Sequence, residues 1–132
     1  MTLPPIWILS IPLGFINLFY PRVLAVVLTV KSGIPLDNAN PRRQVESKEV
    51  AMKDIDGYTS RAYAAHLNGW EAMILWSAAV LLARVMDVEP DKMNCVATIW
   101  LACRIVYNPL YILIKSNPIS YLRTAAFTVS FA

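Results

Sequence analysis

The chain has 132 residues, of which 57% are hydrophobic and 16% are charged, and its mean hydropathy is +0.47. A soluble domain of this length needs more charge to cover its surface, so the composition excludes that class and favours an integral membrane protein. The net charge of +3 is small and the basic residues are scattered, so we set aside a nucleic-acid-binding function.

The first predicted element is a membrane-spanning helix over about residues 5–30. Pro4 and Pro5 stand where the start of a helix tolerates proline, and the apolar run that follows is long enough to cross a bilayer with some tilt. The run lacks a basic amino-terminal region and is too long for a secretory signal. Pro12 and Pro21 predict a kink, so at least one face should contact protein.

Residues 31–58 form a long polar connection. Asn40 and Pro41 indicate a turn, and residues 42–53 are expected to form one short surface helix of mixed charge. Two further spans follow over 60–86 and 93–114, separated by a turn so short that the two helices must be antiparallel neighbours.

A fourth apolar segment covers residues 119–132. As a helix it measures about 21 Å, against roughly 30 Å of hydrocarbon in a bilayer. We therefore expect either that the natural chain continues beyond Ala132 or that this helix packs against its neighbours without crossing, and we favour the first alternative. The overall prediction is an all-α, multi-pass membrane bundle of four helices in a single domain, 1–132.

The distribution of lysine and arginine predicts the orientation of the bundle. Basic residues are concentrated in the first connection and around the third, whereas the short second turn holds one lysine among three acids. By the positive-inside rule, the first and third connections face the cytosol and the amino terminus lies on the other side.

Polar residues at the start of the second span form the first candidate site. Arg61 and Asn68 are two turns apart, and Glu71 lies one turn beyond Asn68, so all three can face the same neighbour. Ionisable side chains in a spanning helix are costly unless they meet a partner or a ligand, which makes them functional candidates. The structural alternative is a polar network between helices, in particular an ion pair between Arg22 and Glu71.

A second stripe lies near the end of the third span, where Arg104, Asn108, Tyr111 and Lys115 follow one another at helical spacing and Tyr107 borders them. A guanidinium and a phenolic hydroxyl on one stripe suit a ligand that carries a carboxylate. A tyrosine belt at the membrane interface is the simpler explanation for the two tyrosines.

Arg123 and Thr124 stand near the start of the fourth helix. The free N–H groups and the positive end of a helix favour an anion there, such as a thiolate. The alternative is an ordinary arginine at the membrane edge. Two cysteines, Cys95 and Cys103, are about 12 Å apart along one helix and cannot form a disulfide. His66 lies on a different face from Asn68 and is expected to be a packing residue.

In this order, the motifs resemble the family of membrane-associated proteins in eicosanoid and glutathione metabolism (MAPEG). An arginine and an Ala-x-x-Asn-x-x-Glu run open its second span, here Arg61 and the stretch 65–71. An Arg-x-x-Tyr sequence lies near the end of its third, here 104–107. The resemblance implies a homotrimer of left-handed four-helix bundles, with glutathione held between helices of adjacent subunits on the cytosolic side.

The resemblance also implies a role for each site residue. The glutathione-binding residues would be Arg61, Asn68, Glu71, Arg104, Tyr107 and Tyr111. Arg123 would stabilise the glutathione thiolate, with the hydroxyl of Thr124 beside it, and no metal is implied.

The function predicted from this resemblance is a glutathione-dependent transferase or peroxidase that takes lipophilic electrophiles from the membrane. The membrane would be the endoplasmic reticulum or another internal membrane in a eukaryote, and the inner membrane in a bacterium. Ser60, Ala64 and Phe127 depart from the family pattern, where an acid, an arginine and a tyrosine are common. A non-catalytic membrane interaction protein is therefore the alternative, and a transporter or channel ranks last.

Overall fold

The computed structural model describes residues 4–54, 56–115, 121 and 124–128. The helices of this part of the chain are α1 (Ile6–Lys31), α2 (Pro41–Val45), α3 (Lys48–Lys53), α4 (Tyr58–Val85) and α5 (Pro90–Leu113). Residues 124–128 are also helical. The rest of the predicted fourth helix, apart from Tyr121, lies outside the described residues.

Two of the described helices, α1 and α5, are long and apolar enough to cross a membrane. Helix α4 covers the predicted second span, but its length and composition do not place it in this group, because its first half carries Arg61, His66, Asn68 and Glu71. The polar half of α4 therefore depends on neighbouring helices for cover within a membrane.

The polar connection contains two short helices, so the prediction of a single helix over 42–53 is wrong. Ser47 stands between them in an extended conformation, and its hydroxyl accepts a hydrogen bond of 3.3 Å from the backbone N–H of Val50. A serine that caps the start of α3 in this way competes with continuation of α2.

The turn between α4 and α5 reverses the chain within four residues. Asp87 has a φ of 50°, and the N–H of Val88 donates to the carbonyl of Ala83 at 3.0 Å. The N–H of Asp87 donates to the carbonyl of Arg84, which completes a Schellman motif. Pro90 then begins α5 at a position where its missing N–H costs nothing.

Helix α1 packs in the groove between α4 and α5, and two glycines allow close contact. A Cβ atom on Gly14 would lie 2.7 Å from the sulfur of Met73 and 2.8 Å from the ring of Trp100. One on Gly69 would lie 2.9 Å from the Cβ of Leu18. Small residues at these crossings allow close van der Waals packing. Such packing is what holds helices together in lipid, where no hydrophobic driving force acts between them.

The buried side chains form two clusters. The turn-side core, near the α4–α5 turn, consists of Leu18, Met73, Trp76, Val80, Met93, Ala97 and Trp100. The loop-side core, near the polar connection, consists of Ala25, Val45, Ala62, Tyr63, Ala65 and Ile112. Tyr111, one of the candidate site residues, packs against the loop-side core.

Candidate functional site

The position of the polar end of α4 is fixed by Asp54, which precedes the helix. Its carboxylate accepts hydrogen bonds from the backbone N–H groups of Thr59 at 3.0 Å and Ser60 at 2.9 Å. Burial acts to raise the pKa of Asp54, but the hydrogen bonds from Ser60 and Thr59 outweigh it and hold the pKa below its ordinary value. The carboxylate thus satisfies two N–H groups that the first turn of a helix leaves free.

Arg61 connects this end of α4 to the end of α5. Its Nε donates to the carbonyl of Ile112 at 2.7 Å, and its guanidinium carbon lies 5.0 Å from the centre of the Tyr58 ring. The last carbonyls of a helix have no partner within the helix and carry the negative end of its dipole, so a guanidinium is well placed there. Arg61 lies outside the cleft described below.

Lys115, the last residue of the predicted stripe, lies on the same side of the molecule. Its ammonium pairs with Asp56 and is 4.8 Å from the centre of the Tyr58 ring. The hydrogen bond to Asp56 raises the pKa of Lys115. Lys115 therefore contacts the polar connection, whereas the stripe predicted on α5 would have placed it beside the candidate site.

The alternative of an ion pair between Arg22 and Glu71 is not what the structure shows. An Nη of Arg22 donates to the carbonyl of Pro41 at 3.2 Å, and its guanidinium lies 5.3 Å from the centre of the Tyr63 ring. Glu71 is exposed and forms no ion pair within the part of the chain that the structure describes. The carboxylate of Glu71 therefore does not neutralise Arg22.

Helix α5 is joined to α1 by two asparagines where the sequence predicts a ligand-facing stripe. The Nδ2 of Asn17 donates to the carbonyl of Arg104 at 3.0 Å, and the Nδ2 of Asn108 donates to the carbonyl of Asn17 at 3.0 Å. Asn108 is only 3% exposed, so its expected place on the ligand-facing stripe is wrong. The sequence signal for Asn17 is an amide in an otherwise apolar helix, which is typical of bonding between helices.

A cleft of about 280 Å³ opens between the middle of α4, the last turns of α5 and residues 124–128. Its lining includes an amide and a carboxylate from α4, two tyrosines from α5 and two residues of the last segment: Asn68, Glu71, Tyr107, Tyr111, Thr124 and Phe127. Neither cysteine lines this cleft. Five of the residues predicted from the sequence are thus brought together.

Within the cleft, Asn68 and Tyr107 are directly bonded. The Nδ2 of Asn68 donates to the phenolic oxygen of Tyr107 at 3.1 Å. The ring of Tyr107 lies 5.6 Å from that of Tyr111 and 6.2 Å from that of Phe127, measured between centroids. Asn68 is therefore oriented by α5, and the three rings form one wall of the cleft.

Arg104 lies behind this aromatic wall and does not line the cleft. Its guanidinium carbon is 5.1 Å from the centres of both the Tyr107 and Phe127 rings, and the residue is only 4% exposed. A cation stacked on an aromatic ring is favourable, more so when water is excluded. The buried charge also makes the electrostatic potential in the cleft more positive, which favours an anionic ligand.

Of the two predicted catalytic residues, Thr124 lines the cleft and Arg123 lies outside the described residues. His66 is buried, as expected of a packing residue. Its Nδ1 is 2.8 Å from the carbonyl of Leu18, and its Nε2 accepts from the indole N–H of Trp70 at 3.2 Å. One ring nitrogen donates and the other accepts, which fits a neutral imidazole that joins α4 to α1.

The chain matches the family model of the MAPEG family over residues 8–132, which includes all five described helices apart from the first two residues of α1. No curated protein and no solved structure matches the chain. The match extends over nearly the whole chain, and the apolar helices α1 and α5 agree with it. The chain therefore belongs to the MAPEG family, and it is a membrane protein whose general function is related to glutathione.

Proposed function

We propose that this protein is a membrane-bound, glutathione-dependent transferase or peroxidase that acts on lipophilic electrophiles. The observation that carries the proposal is the polar cleft. Asn68 and Glu71 of α4 meet Tyr107 of α5 there, and the cationic Arg104 stands behind them. Polar groups retained at this cost within a membrane helix call for a ligand.

The lining of the cleft suits the chemistry of glutathione, a tripeptide with two carboxylates, one ammonium group and a thiol. The carboxylate of Glu71 would pair with the ammonium group, while the amide of Asn68 and the hydroxyl of Tyr111 would donate to a carboxylate. Tyr107 would orient Asn68 through the hydrogen bond between them. In this proposal Arg104 favours the anionic ligand from behind the ring of Tyr107.

Arg61 would act at the loop-side end of the ligand. One of its terminal nitrogens, Nη2, is buried and makes no hydrogen bond within the described residues, while Nε is held by Ile112. A guanidinium fixed at Nε can still present a donor to a carboxylate. A contact with glutathione would require this buried nitrogen to turn toward the ligand while Nε keeps its hydrogen bond to Ile112 of α5.

The chemical step is assigned to the glutathione sulfur. Arg123 would stabilise the thiolate and lower the pKa of the thiol, with the Thr124 hydroxyl beside it, and the released proton would pass to solvent. In transfer, the thiolate sulfur forms a bond to the electrophilic carbon and the leaving group departs with the bonding electrons. In peroxidase action, two glutathione molecules become a disulfide as a hydroperoxide is reduced to an alcohol and water.

We propose a homotrimer in which an adjacent subunit completes the binding site. A volume of about 280 Å³ is at the lower end of the range for ligand pockets, and the cleft is open on one side. A neighbouring copy packed against the open side would enlarge and close it. The protein would cross an internal or bacterial inner membrane several times, with the first connection in the cytosol.

The main alternative is a member of the family that has kept the bundle and lost the chemistry. Phe127 supports this alternative, because it lies in the wall of the cleft where catalytic relatives are expected to carry a tyrosine hydroxyl. Such a protein would remain a defined oligomer in detergent and would show no glutathione binding by calorimetry.

The decisive variant is Arg123→Ala, assayed in detergent with glutathione and a chlorodinitrobenzene electrophile. We expect conjugation to fall by about 100-fold, the usual effect of removing a group that stabilises developing charge. Arg84→Ala is the matched control, since Arg84 is exposed at the far end of α4 and pairs with Asp87, away from the cleft. Equal activity in both variants would remove Arg123 from the mechanism.

A further inference from the structure

Asparagine side chains join α1 to α5 through backbone groups at two separate places along the contact. Near the start of α1, the N–H of Trp7 donates to the Oδ1 of Asn94 at 3.3 Å. Three turns further along α1, Asn17 donates to the carbonyl of Arg104 at 3.0 Å. The two bonds are of the same chemical kind, but only the second one touches the turn of α5 that carries site residues.

The bond at Asn17 is reinforced from the other helix. Asn108 donates to the carbonyl of Asn17 at 3.0 Å, so each helix supplies one amide to the backbone of the other. Arg104 and Asn108 are 4% and 3% exposed, and water is not available to replace these bonds in a bilayer. The pair therefore fixes both the distance and the rotation of α5 relative to α1 at this level.

At this turn the backbone hydrogen bonds of α5 are incomplete. Pro109 lies inside the helix and has no N–H to donate to the carbonyl of Ile105. Only about 10 Å³ of space remains beside Asn17, Arg104 and Asn108. The orientation of residues 104–109 is thus set by their contact with α1 as well as by the helix.

The same turn carries Tyr107, which lines the cleft, and Arg104, which lies behind it. Tyr107 bonds Asn68, and Arg104 lies 5.1 Å from the centre of the Tyr107 ring. We propose that Asn17, which lines no part of the cleft, is a positioning residue for glutathione. It acts by holding Arg104 and Tyr107 in the orientation that binds the ligand. The proposal rests on the proposed function, since the ligand that it concerns is glutathione.

The test compares Asn17→Ala with Asn94→Ala in the full-length protein. For each variant, glutathione affinity is measured by calorimetry, KM and kcat by conjugation, and local opening by hydrogen exchange of backbone amides. We expect Asn17→Ala to weaken glutathione binding and raise its KM by about tenfold, as small misplacements of a binding group do. We expect kcat at saturating glutathione to stay near the wild-type value.

Hydrogen exchange should separate the two variants independently of glutathione. Asn17→Ala should speed exchange in residues 104–109, and Asn94→Ala should speed it near residue 94 with less than a twofold effect on glutathione affinity. Asn108→Ala, which removes the reciprocal bond, should act in the same direction as Asn17→Ala. It provides a second test if Asn17→Ala folds poorly.

Unchanged exchange in residues 104–109, or equal losses of glutathione affinity in Asn17→Ala and Asn94→Ala, would overturn the positioning role and leave a packing contact. A wild-type protein that binds no glutathione overturns the proposed function and with it the ligand named here. Faster exchange at 104–109 in Asn17→Ala would still support the anchoring of this turn by α1.

Discussion

The two halves of the helix bundle are built from different interactions. In the turn-side core, Trp76 and Trp100 stack with their ring centroids 4.6 Å apart and their planes within 10° of parallel. The indole N–H of Trp76 donates to the hydroxyl of Ser10 at 2.9 Å. In the loop-side half, by contrast, arginines and amides reach across helices to backbone carbonyls, as Arg61 does to Ile112.

Under the proposed function, the difference separates stability from ligand binding. The polar atoms of Trp76 and Ser10 are satisfied within the turn-side core, which leaves close packing as its main contribution. The loop-side half uses some of its donors for helix contacts and exposes Glu71 and Tyr111 to a cleft. Substitutions in the first half should therefore act mainly on unfolding, and those of cleft residues in the second mainly on glutathione affinity.

The largest effect is expected for Trp100→Ala. Trp100 is only 1% exposed and contacts both Gly14 and the stacked Trp76, so its removal leaves a cavity where three helices meet. We expect the free energy of unfolding to fall by about 3 kcal/mol, measured by denaturant titration in micelles. Ile99→Ala, at an exposed neighbouring position, should change it by less than about 0.5 kcal/mol.

Glutathione affinity is the control measurement for Trp100→Ala. Folded Trp100→Ala protein should lose less in glutathione affinity than in stability, because Trp100 borders the small space beside Asn17, Arg104 and Asn108 but does not line the cleft. A larger loss of affinity than of stability would show that the two halves are not separate in function.

A smaller effect, on binding, is expected for Asn68→Ala. The variant removes a donor that bonds the Tyr107 hydroxyl and lines the cleft. Glutathione should bind about tenfold more weakly, equivalent to about 1.4 kcal/mol, by calorimetry. Leu67, the residue before Asn68, is 44% exposed, and Leu67→Ala serves as the control. Equal affinities in the two variants would argue against this cleft as the binding site.

The smallest effect concerns stability alone and depends on pH. Hydrogen bonds from Ser60 and Thr59 hold the folded-state pKa of Asp54 below its unfolded value. Ionised Asp54 therefore stabilises the folded protein fully above about pH 4, and this stabilisation is lost as the pH falls through the folded-state pKa. An asparagine keeps only one of the two acceptor oxygens, so Asp54→Asn should lower the free energy of unfolding by about 1 kcal/mol at neutral pH. This difference from wild type should shrink at low pH.

Asp56→Asn is the control for Asp54→Asn. The carboxylate of Asp56 pairs with Lys115 at an exposed site, and such a pair contributes less than about 0.5 kcal/mol. If Asp54→Asn and Asp56→Asn have equal effects that both vanish at high salt, then Asp54 acts as a surface charge and not as a helix cap.

The sequence by itself determined the family, the apolar helices and most of the residues that meet in the cleft. The reason is that helical spacing and the cost of polar groups in lipid are local properties. Spacing could place Asn68 and Glu71 on one side of α4, and Tyr107 and Tyr111 on one side of α5. It could not tell that Asn108, on the same predicted stripe, faces α1.

Only the tertiary structure decided which polar residues are used to join helices. Arg22 contacts Pro41 and Tyr63 and not Glu71, and Asn17 bonds the carbonyl of Arg104. These outcomes depend on the rotation of each helix about its own axis, which is set by close contacts such as that of Gly69 with Leu18. A periodic pattern defines the face of a helix but not the neighbour that the face will contact.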